Sequence, residues 1–348
     1  MTGTAAGSAQ DNFPFNCWYV AATGDEVGAA LVARRILGRA VVLFRQADGQ
    51  VAALEDRCAH RAAPLSRGSL VDDQVVCPYH GFTYDASGAC VRVPSQLHVP
   101  YGARVRSYAV REEGPFVWIW LGAAARSRHT EPPALPVLAD PAWAVQGGTL
   151  DVAANYLLLH DNALDRTHFP FVHPHRIHRG YVERPPTLNI EVSETTVSDH
   201  RSFAPAPLAD WQAEATGLPR DGAYVQRETG TFVSPAMHLD AMDIVGEDGT
   251  VLRSQFIRAF TPVDAAHTRV VWRAARNYAV DDASVTERLR EVYEGTMTED
   301  QPLLETIQST AGPADYRVNA TADAAAIRAF EIIKAMLAEE RPRPSPRR

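Results

Sequence analysis

From about residue 13 to residue 122 the chain alternates short apolar runs with polar, glycine-bearing breaks, the pattern of short β-strands. Arg39–Arg45 and Gln50–Leu54 are two such runs, and Gln46-Ala47-Asp48-Gly49 between them reads as a hairpin turn. Tyr84-Asp85-Ala86-Ser87-Gly88 is a second turn, and Pro115–Gly122, with Trp118 and Trp120, is a bulky strand whose tryptophans read as core. Residues 123–136, rich in Ala, Arg and Pro, mark a shift in composition and a domain boundary. Beyond it, strand-like stretches at 188–192, 254–260 and 268–272 alternate with helical ones at 151–168, 283–309 and 322–340, which predicts an α+β domain with an antiparallel sheet. In the last helix Ile327, Phe330, Ile333 or Lys334, and Leu337 fall at helical spacing and should form its packed face. The ends differ in kind: residues 1–11 are small and polar, and 341–348 are basic and proline-rich, so both are expected to be disordered. The expected domains are therefore 12–125 and 126–340.

Composition narrows the class. A chain of 348 residues suffices for one large domain or two ordinary ones. The formal charge of −8, with no basic run outside the C-terminal tail, argues against nucleic acid as a partner. No window approaches the length of a membrane span and no secretory signal is visible, so a soluble cytoplasmic protein is expected. Lys334 is the only lysine among many arginines, a bias of base composition from which no function is read. Of the four cysteines, Cys17 and Cys90 are far apart and suggest buried thiols, not a disulfide framework.

The other two belong to a denser motif. Cys58-Ala59-His60 and Cys77-Pro78-Tyr79-His80 form a C-x-H…C-x2-H set. Two thiolates on one iron and two neutral imidazoles on the other make a Rieske [2Fe–2S] centre, which passes single electrons at a raised potential. Zinc also takes two Cys and two His. Zinc motifs usually pair Cys with Cys, however, whereas here each loop pairs Cys with His.

A second cluster runs from Asn155 to His173. Taken as one helix, it puts Asp161, Asp165 and His168 at i, i+4 and i+7 on a single stripe, with Pro170 ending or kinking the helix so that His173 converges with His168. Two histidines and one carboxylate on one face of Fe(II), with positions open for O2, is the arrangement of non-haem iron oxygenases. The best carboxylate is Asp300, which shares a helical face with Leu303, Leu304 and Ile307, since an acid on an apolar face needs a partner. By the same count Glu299 points away and Glu305 lies opposite.

Over nearly its whole length the chain resembles the catalytic component of Rieske non-haem iron oxygenases, most of all the vanillate and dicamba O-demethylase branch. The cluster loops, the Asp161-Asn162-x-x-Asp165-x-x-His168-x4-His173 motif and the Glu299-Asp300 segment with Asn319 and the last helix carry that resemblance. It implies an all-β Rieske domain followed by a helix-grip catalytic domain, with Cys58, His60, Cys77 and His80 holding the cluster. It also implies that His168, His173 and Asp300 bind the mononuclear iron, and that Asp165 bridges to a cluster histidine, His80, of a neighbouring subunit in a head-to-tail homotrimer. Departures are visible: Ala59 and Ala62 replace the usual Pro and Gly of the first loop, Ala163 and Arg166 stand in for larger apolar residues, and Phe169-Pro170-Phe171 replaces a more polar spacer.

No dinucleotide fingerprint and no cysteines for a second cluster are present, so electrons from NAD(P)H must come through a separate ferredoxin or reductase. The expected reaction is O2-dependent demethylation of a methoxylated aromatic acid to a phenol and formaldehyde. Hydroxylation and N-demethylation on the same scaffold stay open, as does a pure electron carrier or redox sensor. That the substrate is anionic follows from the resemblance alone, and Arg201, Arg258 and Arg273 are open candidates for its anchor. His160, His175 and His178 read as bystanders, and Asn155 as a structural amide or a donor near the iron. Trp211, Phe232, Phe256, Trp272 and Tyr278 read as core, with a pocket lining as the alternative.

Overall fold

The computed structural model describes residues 13–177, 181, 186–246, 248–310 and 318–341. The expectations made for residues 1–11, for His178 and for nearly all of the tail lie outside these. Of the described residues, 13–132, 261–265 and 340–341 form one compact unit, and 133–260 with 266–310 and 318–339 form another.

The first unit is built on strands. Its larger sheet has the order β1-β10-β9-β4-β3-β2, formed by Trp18–Thr23, Phe116–Trp120, Ser107–Glu113, Val51–Glu55, Arg39–Arg45 and Val32–Ile36. Its smaller sheet runs β5-β6-β7-β8, from Ser69–Val71, Gln74–Val76, Thr83–Tyr84 and Cys90–Arg92. The apolar runs read from the sequence are buried strands: every residue of β1 and β10 is inaccessible, as are Val41–Phe44 in β3. The Gln46–Gly49 turn forms as expected, with Gly49 at φ +88° and its amide bonded to the Gln46 carbonyl. A short helix, α1 (Ala124–Ser127), follows β10. The segment 261–265 is tied in by Thr261, whose hydroxyl donates to the Val20 carbonyl at 2.8 Å, and by the Leu37 amide, which donates to the Pro262 carbonyl at 2.8 Å.

The second unit is an antiparallel sheet of seven strands with helices, so the α+β class expected from the pattern is observed. Its order is β11-β17-β16-β15-β14-β13-β12, formed by Ala144–Val152, His267–Arg276, Val251–Asp264, Met237–Val245, Val225–Ser234, Val197–Ser202 and Thr187–Val192. The helices are α2 (Tyr156–Leu164), α3 (Phe169–Val172), α4 (Asp210–Thr216), α5 (Ala283–Thr310) and α6 (Ala324–Glu340). Two helix readings change. The helical stretch expected at 151–168 starts later and stops sooner, because β11 runs to Val152 and Asn155 caps α2 through its side chain, which accepts from the Leu157 amide. In α6 the most buried positions are Ala325, Ala326, Ala329 and Ile333, while Ile327, Phe330 and Leu337 are only half-buried. The helix therefore packs through its small residues, which allow a closer approach than the larger ones would.

His160, expected only as a bystander of the metal site, is a core residue. It is fully buried among Tyr156, Phe232 and Phe260, with Nε2–H donating to the Pro235 carbonyl at 3.0 Å. Burial pushes its pKa down to about 3, so between that value and the unfolded value of about 6.5 the unfolded chain binds the extra proton. Its contribution is fully present above about pH 6.5 and is lost as pH falls towards 3. His160→Phe should cost about 1–2 kcal/mol at pH 7.5 through the lost hydrogen bond. It should also show a smaller further loss at pH 5 than wild type; equal losses in urea melts at the two pH values would remove His160 from the acid limb.

Candidate metal centres and cavity

In the first unit the two cysteine loops are the same hydrogen-bonded ring. The Cys58 amide donates to the Ala63 carbonyl at 2.9 Å and the Ala62 amide to the Cys58 carbonyl at 2.9 Å. In the second loop the Cys77 amide donates to the Phe82 carbonyl at 2.8 Å and the Gly81 amide to the Cys77 carbonyl at 3.1 Å. Each ring needs a left-handed residue four positions after its cysteine, and these are Ala62 at φ +57° and Gly81 at φ +70°. Ala62 therefore carries strain that a glycine would not.

Both cysteines are buried at 3% exposure in a core with Phe44, Leu54, Leu65, Val75 and Phe82, while His60 and His80 are exposed. The imidazole centroids lie 4.6 Å apart, and His60 stacks on Phe82 at 4.7 Å. The Tyr84 hydroxyl sits 3.1 Å from the Cys58 sulfur and accepts from the Ala59 amide. Burial beside Cys58 drives the Tyr84 pKa well up, which keeps that hydroxyl a donor. Two sheltered sulfurs and two outward imidazoles on paired loops fit the donor set of a Rieske cluster.

In the second unit the second motif is not one helix. α2 ends at Leu164, Asp165 is extended, Arg166–His168 form a 3-10 turn, and Pro170 opens α3 instead of closing a helix. The expected stripe of Asp161, Asp165 and His168 is therefore broken. The cause is a buried ionic cluster on the sheet. Arg201 donates to the Leu164 carbonyl at 3.0 Å, capping the end of α2, and to Asp199 at 2.5 Å. Arg166 reaches Asp199 at 3.2 Å and Asp240 at 2.5 Å, and Arg258 reaches Asp240 at 2.5 Å. Asp199, Gly230 and Asp240 are register partners across β13, β14 and β15. A Cβ on Gly230 would lie 2.4 Å from the Arg166 guanidinium, so this glycine provides the seat for it. Burial would raise the Asp240 carboxyl, but Arg258, His238 and Arg166 hold it well below the usual range.

The turn so anchored carries the first metal-binding candidate. His168 Nδ1 lies 2.6 Å from the Asp165 carbonyl, which can only accept, so Nε2 is the lone-pair nitrogen. His173, the C-cap of α3, has Nδ1 at 2.7 Å from Glu299 Oε2, and by the same logic its Nε2 is the lone-pair nitrogen. Asp300 Oδ1 lies 3.5 Å from His168 Nε2 and 3.2 Å from His173 Nε2. The three ligating atoms lie within 4.8 Å of one another. His173 Nε2 and Asp300 Oδ1 are buried with no hydrogen-bond partner, the signature of atoms made to share an ion. The donor set fits a mononuclear iron.

Asp300 sits on α5 with Met297 and Leu304 buried beside it, but Leu303 is exposed, so the apolar face is narrower than expected. Glu299 corrects the helix count: its side chain reaches back to His173 and to Arg176, whose Nε lies 2.9 Å from Oε1. Burial would raise Glu299, yet Arg176 and His173 hold it below the usual carboxylate range. Glu305 instead accepts from the Ala153 amide at 3.0 Å, and Gln308 from the Asn155 amide at 2.9 Å, tying α5 to the start of α2. Asp165 stands apart from the triad: its carboxylate caps the turn by accepting from Thr167 at 2.8 Å. His175 is exposed and Asn155 is a helix cap. Asn162 was in the motif without a role; its Nδ2 lies 3.3 Å from His168 Nε2.

A cavity opens beside the triad, with an empty volume of about 970 Å³ including its mouth. Phe169, Trp211, Phe256 and Tyr293 provide aromatic wall, and Asn162, His173 and Asp300 border it. Trp211 and Phe256 are thus pocket residues, whereas Phe232, Trp272 and Tyr278 are core. Of the three arginine candidates only Arg258 lines the cavity, joined there by Arg166 and Arg176. All three are ion-paired within the protein, and Arg201 serves as a helix cap.

The Rieske [2Fe-2S] domain family matches residues 17–108, and the vanillate O-demethylase oxygenase C-terminal domain family matches residues 152–339, more than half of the chain. The chain belongs to the Rieske non-haem iron oxygenase family. It is 30% identical to a vanillate O-demethylase oxygenase subunit of Pseudomonas sp., covering 94% of this chain and 96% of that one. It is 31% identical to a putative toluene-4-sulfonate monooxygenase system iron-sulfur subunit of Comamonas testosteroni, covering 84% and 87%. The crystal structure of dicamba monooxygenase bound to 3,6-dichlorosalicylic acid superposes with a TM-score of 0.88 at 27% identity, covering 95% of this chain and all of that one. This Rieske oxygenase is thus the oxygenase component of a monooxygenase with two iron centres, a [2Fe–2S] cluster and a mononuclear non-haem iron. It works with a separate electron-transfer partner. Among the described residues, no helix is long and apolar enough to cross a membrane.

Two substitutions test this architecture. Ala62→Gly should stabilise the first unit by about 0.5–1 kcal/mol by relieving a left-handed alanine; a denaturation midpoint that falls would contradict the strain. Arg166→Ala should cost about 3–5 kcal/mol, because it removes the cation shared by Asp199, Glu228 and Asp240 and leaves the buried cluster with one uncompensated negative charge, and an unchanged urea midpoint would show that the cluster does not hold the turn.

Proposed function

We propose that this oxygenase removes a methyl group oxidatively from a methoxylated aromatic compound, releasing a phenol and formaldehyde. The observation that carries the reading is the convergence of His168, His173 and Asp300 on one point at the edge of an aromatic-walled cavity. His168, His173 and Asp300 would hold the mononuclear Fe(II), and Cys58, His60, Cys77 and His80 the cluster. When bound, the two centres would supply O2 activation and single electrons: one oxygen atom would go into a C–H bond of the methoxy group, the other would leave as water with two electrons from the partner and two protons, and the resulting hemiacetal would break down to the phenol and formaldehyde.

The protein's own groups orient and shelter this chemistry. Phe169, Trp211, Phe256 and Tyr293 can stack against a planar ring and exclude water from its methoxy group. The Tyr181 hydroxyl donates to Glu228, and both residues line the cavity. Because Arg166, Arg176 and Arg258 are already paired with carboxylates, stacking and shape select the ring more than an ion pair does. The acid group of a vanillate-like substrate is carried over from the relatives. Asp165 would pass electrons from His80 of a neighbouring subunit in a homotrimer, which its backbone link to His168 supports: its carbonyl accepts from His168 Nδ1–H while its side chain is only half-buried.

The test is formaldehyde release and O2 uptake by iron-replete protein with a reductase and NADH, against methoxylated aromatic acids and their neutral amides. Formaldehyde equal to O2 consumed supports demethylation; a hydroxylated product without formaldehyde would move the reaction to ring or side-chain hydroxylation. Asp165→Asn keeps the cap on Thr167 and should leave both metal contents unchanged while turnover falls by at least 100-fold. Retained turnover would reject the electron relay.

A further inference from the structure

We infer that Glu299, anchored by Arg176, is a positioning residue that holds His173 in the tautomer and orientation a metal requires. The inference rests on the reading of His168, His173 and Asp300 as the iron ligands, and it assigns a task to a carboxylate outside that set.

The two imidazoles are aimed by different means. His168 gives its Nδ1 proton to a neutral acceptor, the Asp165 carbonyl at 2.6 Å. His173 gives its own to a carboxylate, Glu299 Oε2 at 2.7 Å. A carboxylate that accepts a hydrogen bond from Nδ1–H leaves Nε2 with the lone pair that a metal takes, fixes the ring plane and makes the imidazole more basic towards a metal. That Nε2 is buried without a hydrogen-bond partner and lies 3.2 Å from Asp300 Oδ1.

Glu299 is itself held. Its other oxygen, Oε1, accepts from Arg176 Nε at 2.9 Å, so each of its two oxygens has a partner and neither is directed at the ion. This matters because Glu299 and Asp300 are adjacent on α5. Without Arg176 two carboxylates would compete for one cation, and a fourth protein ligand would fill a position that O2 needs.

Independent support comes from Gly295, one turn before Glu299 on the same face of α5. A Cβ there would sit 2.2 Å from Arg176 Nη2 and 2.3 Å from its Cζ. Glycine inside a helix costs about 1 kcal/mol relative to alanine, and here the missing side chain makes the bed on which the guanidinium lies. The backbone of Arg176 is fixed too, since its carbonyl accepts from Trp211 Nε1 at 2.6 Å. Arg176 and Trp211 both line the cavity, so the string Arg176–Glu299–His173 runs from the cavity wall to a ligand.

The experiment is anaerobic titration of protein depleted of its mononuclear metal but retaining its cluster, with Fe(II) for affinity and Co(II) as an optical probe of ligand geometry. Glu299→Gln keeps an acceptor but removes the charge, and should weaken Fe(II) binding several-fold. Glu299→Ala removes both and should weaken it by about 10–100-fold while shifting the Co(II) visible bands. Gly295→Ala, which displaces Arg176 without touching the carboxylate, should reproduce part of that loss. The Rieske absorption spectrum should be unchanged in all three, which separates positioning from misfolding. His173→Ala is the control on the ligand reading and should abolish the second metal. If His173→Ala abolishes it while Glu299→Ala binds Fe(II) within twofold of wild type with unshifted Co(II) bands, the role of Glu299 is overturned and the ligand reading stands. If His173→Ala still binds the metal normally, the ligand reading itself falls and this inference with it.

Discussion

Three arginines and three carboxylates lie largely buried on one face of the seven-stranded sheet, and the position of the candidate iron site depends on their remaining matched. Arg166, Arg201 and Arg258 face Asp199, Glu228 and Asp240, with Arg166 and Arg201 at most 5% exposed and Asp199 wholly buried. Removing one member would leave the buried cluster with one charge uncompensated and out of reach of water, a penalty of several kcal/mol. Such a cluster tolerates few geometries, and this rigidity is what a metal site needs. Gly230 allows Arg166 to lie between two strands, and Arg201 closes the end of α2, so the chain must turn at Asp165.

From that turn the chemistry follows by a short chain of constraints. Because α2 stops at Leu164, the Asp165 carbonyl is no longer committed to a helix and meets His168 Nδ1. Because Pro170 opens α3, the next turn brings His173 round to Glu299. Both rings are then left with Nε2 facing Asp300 Oδ1. The candidate iron ligands are thus selected less by their own positions in the sequence than by what holds the other nitrogen of each ring.

Much of this could be read in advance, and what could not has a physical reason. Strands β3, β10, β12 and β17 were visible because their apolar runs face core or alternate cleanly. β13 and β14 are hidden in the sequence because, between Val197 and Phe232, the residues they turn inward are Asp199, Arg201, Gln226, Glu228 and Gly230, polar or small groups that serve the cavity and the ionic cluster. The seven candidate ligands are legible in the sequence because metal-binding side chains keep their chemistry whatever the backbone does, whereas Asp165 comes only from the resemblance. The residues behind them are not: a helical count turns Glu299 away because it ignores how far a glutamate reaches, and Asn162 carries no mark that distinguishes it from a surface amide.

The sheltered cysteines of the first unit have a consequence for how the protein is made. Cys58 and Cys77 are packed among Phe44, Leu54, Val75 and Tyr84, so the sulfurs that would carry the cluster are also wall elements of the hydrophobic core. Loading the cluster and closing that core become one linked equilibrium, in which binding free energy is also folding free energy. A cell short of iron or sulfide would then accumulate a chain whose first unit is under-folded and open to proteases, instead of an intact but dark enzyme. The amount of protein would itself report how well its clusters are being supplied.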